Sequence, residues 1–465
     1  MTRTLELERS GGWLALTAIS AGYFLVILDA TVVAIATDRM AIGLHTTVTG
    51  LEWVVDGYTV TLAALLMLGG GLADRFGARR SFQAGLVLFG VASIGCAAAP
   101  VVWVLVVARV VQGAGAALLI PASLALVRHT YPDPAERARA IGIWGAVGSV
   151  AATCGPVVGG LLAQSLGWPA IFAINVPVCV VTWVLIRRTT PAVSGSGQPI
   201  PVAGHLATVA AMSGGTALAI LGGARPLSVP SLVVAAVVAV GGGIAIGVAG
   251  RAGRPLVPAV LRTDPRFRGG SLIGLAQNFG FYGQLFVVSL YLQRQLGYSP
   301  AVAGLALLPE CAIGIVASAL SGRFGARYGA RPVMLCGLSA GALGLAGLAC
   351  IGPHTSYPLL VLPLLLIGFG MAFTMPAATT VTVSPAGPAQ AGLAGAAFNA
   401  ARQFGGALGV AVAGSLLTFE HGSVRLALAC AAAAFLAAVP IAARLRDIKD
   451  PETKNAAPEV IPARH

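Results

Sequence analysis

The chain has 465 residues, of which 57% are hydrophobic and only 10% are charged, and its formal net charge is +13. Soluble domains carry about 25% charged residues, so the composition excludes a soluble globular protein and indicates a polytopic membrane protein. The basic residues are scattered between apolar runs and form no basic domain, which argues against nucleic acid as a partner.

Apolar runs long enough to cross a bilayer recur along the whole chain. A helical span needs about 20 such residues. The sequence predicts fourteen spans: 13–37, 54–73, 82–99, 101–127, 139–163, 168–186, 203–223, 229–249, 270–293, 300–325, 330–351, 357–381, 391–417 and 423–443. The predicted fold class is therefore an all-α membrane protein.

The basic residues also predict an orientation. Of the 29 Lys and Arg residues, twenty-three fall in the termini and in one alternating set of linkers, and four fall in the other set. Cationic loops stay on the cytoplasmic side of a membrane. We therefore expect a multi-pass protein of the cell membrane, with both termini in the cytoplasm.

Two stretches of sequence recur in the second half of the chain. The pattern at 70–79 returns 252 residues later at 322–331, and Gly113-Ala-Gly115 returns 255 residues later as Gly368-Phe-Gly370. Internal repeats of this kind are typical of secondary transporters. We expect two six-helix bundles with two inserted helices, divided into residues 1–188, 189–268 (linker, inserted helices and cytoplasmic loop), 269–445 and a cytoplasmic tail, 446–465.

Asp29 places a carboxylate inside the first apolar run, and a charge at that depth is a functional site by default. Among the other acidic residues only Glu310 is expected to be deep in a span. Asp38, Glu52 and Glu420 are assigned to outer loops, and Asp56 to the outer mouth of span 2.

Depth suggests a partner for each deep carboxylate. At 1.5 Å per residue, Asp29 and Arg109 both lie about 12 Å below the outer edge, so we expect them to be close together. Glu310 and Arg402 both fall near mid-depth and are a candidate second pair. A nearby cation and burial act in opposite directions on proton affinity, so the four residues are candidates for proton coupling.

Five motifs in chain order point to a family. They are Leu28-Asp29-Ala-Thr31, the 70–80 loop, Arg109-Val-Val-Gln112, Gly148…Gly155-Pro156…Gly159-Gly160, and Phe398-Asn399…Arg402-Gln403. Together they resemble the fourteen-helix drug:proton antiporters of the major facilitator superfamily, and the pattern is most similar to actinobacterial exporters of the methylenomycin-resistance type. Ala34 and Asp38 depart from the first-helix motif, which usually has Asn and Pro near these positions.

The resemblance implies alternating access between two bundles, driven by a proton gradient without a cofactor or metal. The loop residues expected to latch one conformation are Gly70, Asp74, Arg75, Gly77, Arg79 and Arg80. The fifth-span antiporter motif comprises Gly148, Gly155, Pro156, Gly159 and Gly160. Candidate substrate-cavity residues are Asp56, Tyr58, Gln112, Asn278, Tyr282, Gln284, Phe398, Asn399 and Gln403.

The predicted function is therefore proton-coupled export of antibiotics or other amphipathic small molecules by a monomer in the bilayer. Transport of an endogenous metabolite on the same fold is the nearest alternative, and a non-transporting sensor or scaffold is a third. The sequence shows no nucleotide-binding loop, no metal-ligand spacing and no nucleophile–base pair in an aqueous domain, so we do not expect an enzyme.

Overall fold

The computed structural model describes residues 2–190, 195, 197, 200–224, 228–251, 256–352, 355–386, 390–418 and 423–445. Every regular element in these ranges is helical. Parts of the linker in the predicted 189–268 region, Glu420 and the predicted tail, 446–465, lie outside the described residues.

The first half of the chain forms a bundle of seven helical segments. They are α1 (Thr2–Gly43), α2 (Val48–Phe76), α3 (Ala78–Ala97), α4 (Val102–Thr130), α5 (Pro134–Ser165), α6 (Ala170–Ala173) and α7 (Asn175–Thr189). The inserted pair follows as α8 (Val202–Gly223) and α9 (Val229–Arg251), and then the short α10 (Ala259–Thr263).

The second half repeats the arrangement. Its segments are α11 (Pro265–Leu290), a π-helical turn (Tyr291–Gln295), α12 (Pro300–Ala306), α13 (Leu308–Tyr328), α14 (Ala330–Ala349), α15 (Tyr357–Val383), α16 (Ala391–Thr418) and α17 (Val424–Arg444). We call the end of the bundle where α1 begins the terminal end, and the opposite end, where α1 finishes, the distal end.

Twelve helical segments in the described ranges are long and apolar enough to cross a membrane. The two remaining predicted spans correspond to α11 and α16, which are 26 and 28 residues long. Both carry polar residues along their length, such as Gln277 and Asn278 in α11 and Arg402 in α16. The predicted fourteen spans are compatible with this arrangement, and the chain is a multi-pass membrane protein.

The helices differ from the predicted spans where apolarity is a poor guide to helix ends. The helix α1 begins at Thr2 rather than at 13, because polar residues continue the helix beyond the apolar run. The predicted span 300–325 is broken at Leu307, between α12 and α13. This break places Glu310 in the first turn of α13, where the helix dipole favours a negative charge.

The sequence repeat has a structural counterpart. Gly77 joins α2 to α3, and Gly329, 252 residues later, joins α13 to α14. Both glycines adopt left-handed backbone angles, with φ of 93° and 88°, which residues with a Cβ rarely adopt. Each pair of helices is therefore connected by a single glycine in the same conformation.

The second repeated motif packs equivalently in the two halves. Gly113 of α4 lies against the backbone of Tyr58 in α2, and Gly368 of α15 lies against the backbone of Glu310 in α13. Tyr58 and Glu310 are themselves 252 residues apart. Glu310 therefore occupies, in the second half, the position that Tyr58 occupies in the first.

The inserted pair lies beside the seam between the halves. The helix α8 packs against both α2 and α16, and two hydroxyls of α16 fix its distal end. Ser415 Oγ donates to the Ala219 carbonyl and Thr418 Oγ1 to the Gly223 carbonyl, both at 2.7 Å. The helix α9 packs on α8 and exposes most of its apolar surface, as a lipid-facing helix does.

Candidate functional site

Asp29 and Arg109 form a buried ion pair in the core of the first half. The Asp29 side chain is 0% exposed and the Arg109 side chain 1% exposed. Arg109 Nη1 donates to Asp29 Oδ2, so the contact expected from their equal depth is present. The other carboxylate oxygen, Oδ1, accepts hydrogen bonds from Gln112 Nε2 at 2.9 Å and from Asn175 Nδ2 at 3.0 Å.

Arg109 has further partners that hold its guanidinium in place. Its Nε donates to the Val54 carbonyl at 3.2 Å, and its Cζ lies 4.2 Å from the ring centroid of Tyr58 and 5.6 Å from that of Phe172. Aromatic faces attract cations within about 6 Å. The rings therefore stabilise the cation independently of Asp29.

Two members of this network were not among the residues predicted from the sequence. Asn175 begins α7, and Ser93 Oγ accepts hydrogen bonds from Gln112 Nε2 at 2.9 Å and from Asn175 Nδ2 at 3.4 Å. Asn175 could have been found, because it is an isolated amide inside an apolar span. Ser93 could not, because a serine satisfied by its own helix is common in membrane helices.

Glu310 is buried in the second half and has one described hydrogen-bond partner. Gln284 Nε2 donates to Glu310 Oε1, while Glu310 Oε2 has no partner among the described residues. The candidate pair of Glu310 with Arg402 is not formed, and that prediction is wrong for this conformation. Arg402 instead donates from Nη1 to Asn399 Oδ1 at 2.9 Å.

Two further carboxyls are buried, contrary to expectation. Glu52 and Asp56 lie one turn apart in α2 and are 0% and 1% exposed. None of their four carboxyl oxygens has a hydrogen-bond partner among the described residues. Glu52 was expected in an outer loop, but the helix already begins at Val48, and Gly414 of α16 lies directly against its carboxyl group.

Polar contacts across the seam concentrate at the distal end. Asp38 Oδ1 accepts from Arg294 Nε at 2.7 Å, and so Asp38 belongs to α1 and not to a free outer loop. Ser289 Oγ donates to the Ala34 carbonyl at 2.7 Å, and Gln293 Nε2 donates to the Ile35 carbonyl at 3.0 Å. These three bonds close the distal end, and two of them involve Ala34 and Asp38, the positions where the first-helix motif departs from its usual residues.

The glycines of α5 permit close helix contacts on two sides. Gly155 and Gly159 lie against Thr31 and Val32 of α1. On the other side, Gly160 lies against the Pro300 carbonyl of α12. Small residues allow helix backbones to approach closely in this way, so the motif joins α5 both to its own half and to the opposite half.

Pro156 completes the contact between α5 and α12. The Pro156 carbonyl lies against Gly304, just as the Pro300 carbonyl lies against Gly160. Gly148, about two turns nearer the terminal end, lies against the ring of Tyr23 in α1. That ring stacks on Trp144 of α5, with centroids 3.7 Å apart and planes inclined by 17°.

The 70–80 segment is mostly helical and holds the first half together. Residues 70–76 end α2 and residues 78–80 begin α3. Arg79 Nη1 and Nη2 donate to the carbonyls of Thr190 and Arg187, both at 2.8 Å. Arg79 thus binds the C-terminus of α7 within its own half.

The predicted substrate-cavity residues separate into two groups. Six are nearly or fully buried in this conformation: Asp56, Tyr58, Gln112, Asn278, Gln284 and Phe398. Gln112 belongs to the Asp29 network, and Tyr58 donates its hydroxyl to the Val26 carbonyl at 3.0 Å. The partly exposed members are Tyr282, Asn399 and Gln403, and they lie on α11 and α16, which pack against each other.

Comparisons with known proteins agree with this architecture. The model of the family described as Major Facilitator Superfamily matches residues 19–410 and 270–461. Among solved structures, the xylose transporter XylE from E. coli superposes with a TM-score of 0.67, covering 94% of this chain and 99% of that one at 16% identity. The nucleoside transporter NupG gives a TM-score of 0.63, with 92% and 99% covered at 14% identity.

Several curated relatives are similar over most of their length. The methylenomycin A resistance protein of Streptomyces coelicolor is 34% identical, covering 88% of this chain and 87% of that protein. Its Bacillus subtilis namesake is 35% identical, with 89% of each covered. The tetracenomycin C resistance and export protein of Streptomyces glaucescens is 34% identical, with 90% and 78% covered. The chain therefore belongs to the major facilitator superfamily.

Proposed function

We propose that the protein is a proton-coupled antiporter that exports antibiotics or other amphipathic small molecules by alternating access. The relatives named for methylenomycin A and tetracenomycin C resistance support export of such compounds. The observation that carries the coupling is the fully buried Asp29, bound to Arg109, Gln112 and Asn175. Sites of this kind in membrane spans mark proton pathways.

The geometry explains how one proton changes the first half. When Asp29 accepts a proton, its ion pair with Arg109 is lost. The guanidinium then retains the Val54 carbonyl and the ring of Tyr58 as partners. A buried pair is held by a fine balance between desolvation and attraction, so a single protonation shifts the relative positions of α1 and α4. Glu310, with one oxygen unpartnered among the described residues, is the second proposed proton acceptor.

Energy for export comes from the proton gradient without a cofactor. One proton moving down about 100 mV releases about 2.3 kcal/mol, and one pH unit contributes about 1.4 kcal/mol more. Together these sustain a drug gradient of roughly a few hundredfold per proton. Export toward the outside requires the terminal end to face the cytoplasm, as the cationic linkers predict for the cell membrane.

Reconstituted protein tests this function directly. In proteoliposomes with an imposed pH gradient, methylenomycin A and tetracenomycin C should each be exchanged for protons by the wild type. Asp29→Asn keeps the shape of the side chain but removes its charge change, so proton movement and uphill transport should both stop. Asp264→Asn is the control, because that carboxylate pairs with Arg266 at a helix start. Undiminished coupled transport by Asp29→Asn would contradict the proposal.

The 70–80 segment is proposed to favour one conformation of the transport cycle. Exposed charges at the ends of α2 and α3, including Asp74, Arg75 and Arg80, lie near the terminal end. Asp74→Asn should therefore lower turnover more than it lowers substrate affinity. Equal losses in both quantities, measured as kcat and Kd in the same preparation, would count against the latch.

A further inference from the structure

Arg402 is a cation in the middle of α16 with no carboxylate partner in the described part of the chain. The ion pairs found there join Asp29 to Arg109, Asp264 to Arg266 and Asp38 to Arg294. The described hydrogen bond of Arg402 goes to the neutral Asn399 Oδ1, and its shielded Nε has no acceptor among the described residues.

The groups around Arg402 come from both halves of the protein. Tyr23 of α1 and Tyr282 of α11 are close enough to interact with it electrostatically, and its Cζ lies 5.8 Å from the ring centroid of Phe398. Tyr23 is fixed by its stack on Trp144. Arg402 of α16 is thus approached by one side chain of α1 in the first half and by one of α11 in the second half.

These side chains are accessible enough to meet a ligand. Tyr23, Trp144, Tyr282 and Arg402 are all partly exposed, whereas the Asp29 network is closed to solvent. Bonds across the seam join the two halves at the distal end, so a ligand would have to approach these side chains from the terminal end. A compound arriving from that side meets a cation flanked by two hydroxyls and several aromatic faces.

We propose that Arg402, Tyr23 and Tyr282 bind the acidic group of an anionic amphipathic substrate, such as a carboxylate, sulfonate or acidic enol. This inference rests on the proposed export function and specifies its substrate class. A guanidinium presents a planar fork that matches such oxyanions in a two-point contact. A partly buried charge without a carboxylate partner is only partly compensated, so an arriving anion supplies the missing counter-charge. The aromatic rings supply the apolar surface that drug-sized ligands require.

Glu310 is the alternative partner for Arg402, and the structure argues against it. Glu310 is bound to Gln284 on α11, and Arg402 donates its described hydrogen bond to Asn399 on its own helix. If Arg402 paired with Glu310, its replacement would weaken the binding of anionic and cationic substrates alike. If Arg402 binds an anionic substrate, its replacement weakens the binding of anionic compounds only.

Two dyes of similar shape and opposite charge separate these outcomes. Fluorescein is an anion and rhodamine 6G a cation at about pH 8, and both share a xanthene core. Binding to purified protein in nanodiscs is measured by dye anisotropy and by quenching of Trp144, with Trp144→Phe assigning the signal. The wild type should bind fluorescein more tightly. Arg402→Gln should weaken fluorescein binding by about tenfold or more and leave rhodamine 6G binding unchanged.

Matched variants and competitors complete the design. Arg402→Lys should retain part of the fluorescein affinity, and Arg268→Gln, an exposed arginine at the start of α11, should retain all of it. In the wild type, benzoate should displace fluorescein and benzamide should not, which tests the proposal even if Arg402→Gln does not fold. The proposal is overturned if rhodamine 6G binds as tightly as fluorescein, if Arg402→Gln weakens both dyes equally, or if benzamide competes as well as benzoate.

Failure of this inference is distinguishable from failure of the proposed function. Proton-coupled transport of rhodamine 6G without selective fluorescein binding would support the proposed antiport and contradict the proposed anion site. Selective fluorescein binding without any proton exchange in proteoliposomes would support the anion site and contradict antiport.

Discussion

Asp38 in α1 and Arg294 in the π-helical turn after α11 are joined by an ion pair, Nε to Oδ1, of 2.7 Å that crosses the seam between the halves. Both side chains are partly exposed, 21% and 41%, so the pair contributes at most about 1 kcal/mol to distal closure. The ion pair matters because of where it lies: it can form only while the distal end is closed, so it stabilises that conformation alone.

The first prediction concerns this pair. Asp38→Asn or Arg294→Gln should increase the open fraction of the distal end by up to about fivefold. Hydrogen–deuterium exchange in residues 289–296 should therefore rise in either variant. The charge-reversed double variant Asp38→Arg/Arg294→Asp should return exchange toward the wild-type rate. No change in exchange in either single variant would show that the ion pair does not contribute to closure.

The second prediction concerns the buried pair in the first half. Arg109→Gln leaves Asp29 buried without a cation, which should lower the free energy of unfolding by about 3–5 kcal/mol. The double variant Asp29→Asn/Arg109→Gln should recover much of that loss, because no charge remains uncompensated. Thermal unfolding in detergent measures both effects. Equal melting temperatures for the single and double variants would contradict this account of the network.

The third prediction concerns the crossing of α5 and α12. A leucine at Gly160 has no room beside the Pro300 carbonyl, and a leucine at Gly304 meets Pro156 in the same way. Overpacking of this kind costs about 1–3 kcal/mol. Because the two glycines meet these carbonyls only when the distal end is closed, the cost destabilises that state alone. Each variant should fold, lose transport and label faster with a membrane-impermeant thiol reagent at a cysteine introduced at Ala301, which is buried in this structure.

A matched control for the third prediction lies on the same helix. A Cβ at Gly142 of α5 would meet no atom within 4 Å, so Gly142→Leu should transport normally. Loss of transport in Gly142→Leu equal to that in Gly160→Leu would point to a general effect of added bulk in α5.

The fourth prediction concerns the carboxyls of Glu52 and Asp56. Burying ionised groups without partners is costly, and neither has a hydrogen-bond partner among the described residues. Glu52→Gln/Asp56→Asn should therefore raise the melting temperature of the purified protein at about pH 8. A lower melting temperature for this variant at about pH 8 would show that the carboxylates are stabilised by a partner.

The fifth prediction concerns Arg79. Arg79→Ala removes two donors from the carbonyls that end α7, at a cost of about 1 kcal/mol. Amide exchange in residues 186–190 should rise as this helix end frays. Arg80→Ala, which alters an exposed neighbour, should leave exchange there unchanged.

The sequence predicts how deep a residue lies along its helix, but it does not predict toward which neighbouring helix the side chain points. Asp29 and Arg109 were expected at equal depth and are in contact. Glu310 and Arg402 were also expected at equal depth, yet their side chains have different partners, Gln284 and Asn399. Equal depth is necessary for a pair, but helix rotation, set by tertiary packing, decides whether it forms.

Helix ends were predicted less well, for a physical reason. A window of apolar residues starts only after Glu52 and Trp53, so Glu52 was placed in a loop. In the structure Thr47 caps a helix that begins at Val48, accepting a hydrogen bond from the Gly50 amide at 3.4 Å. Burial of the Glu52 carboxyl depends on Gly414, which is 362 residues away in the sequence. No local sequence pattern predicts a contact between residues so far apart.

The single-residue link at Gly77 determines how the first half can move. With one residue between α2 and α3, and with Arg79 bound to the end of α7, these three helices cannot slide past one another without breaking several bonds. We therefore expect these helices of the first half to move together, as one rigid body, relative to the second half. Under the proposed coupling mechanism, a protonation at Asp29 would therefore tilt the whole first half, and the two halves would separate at the seam.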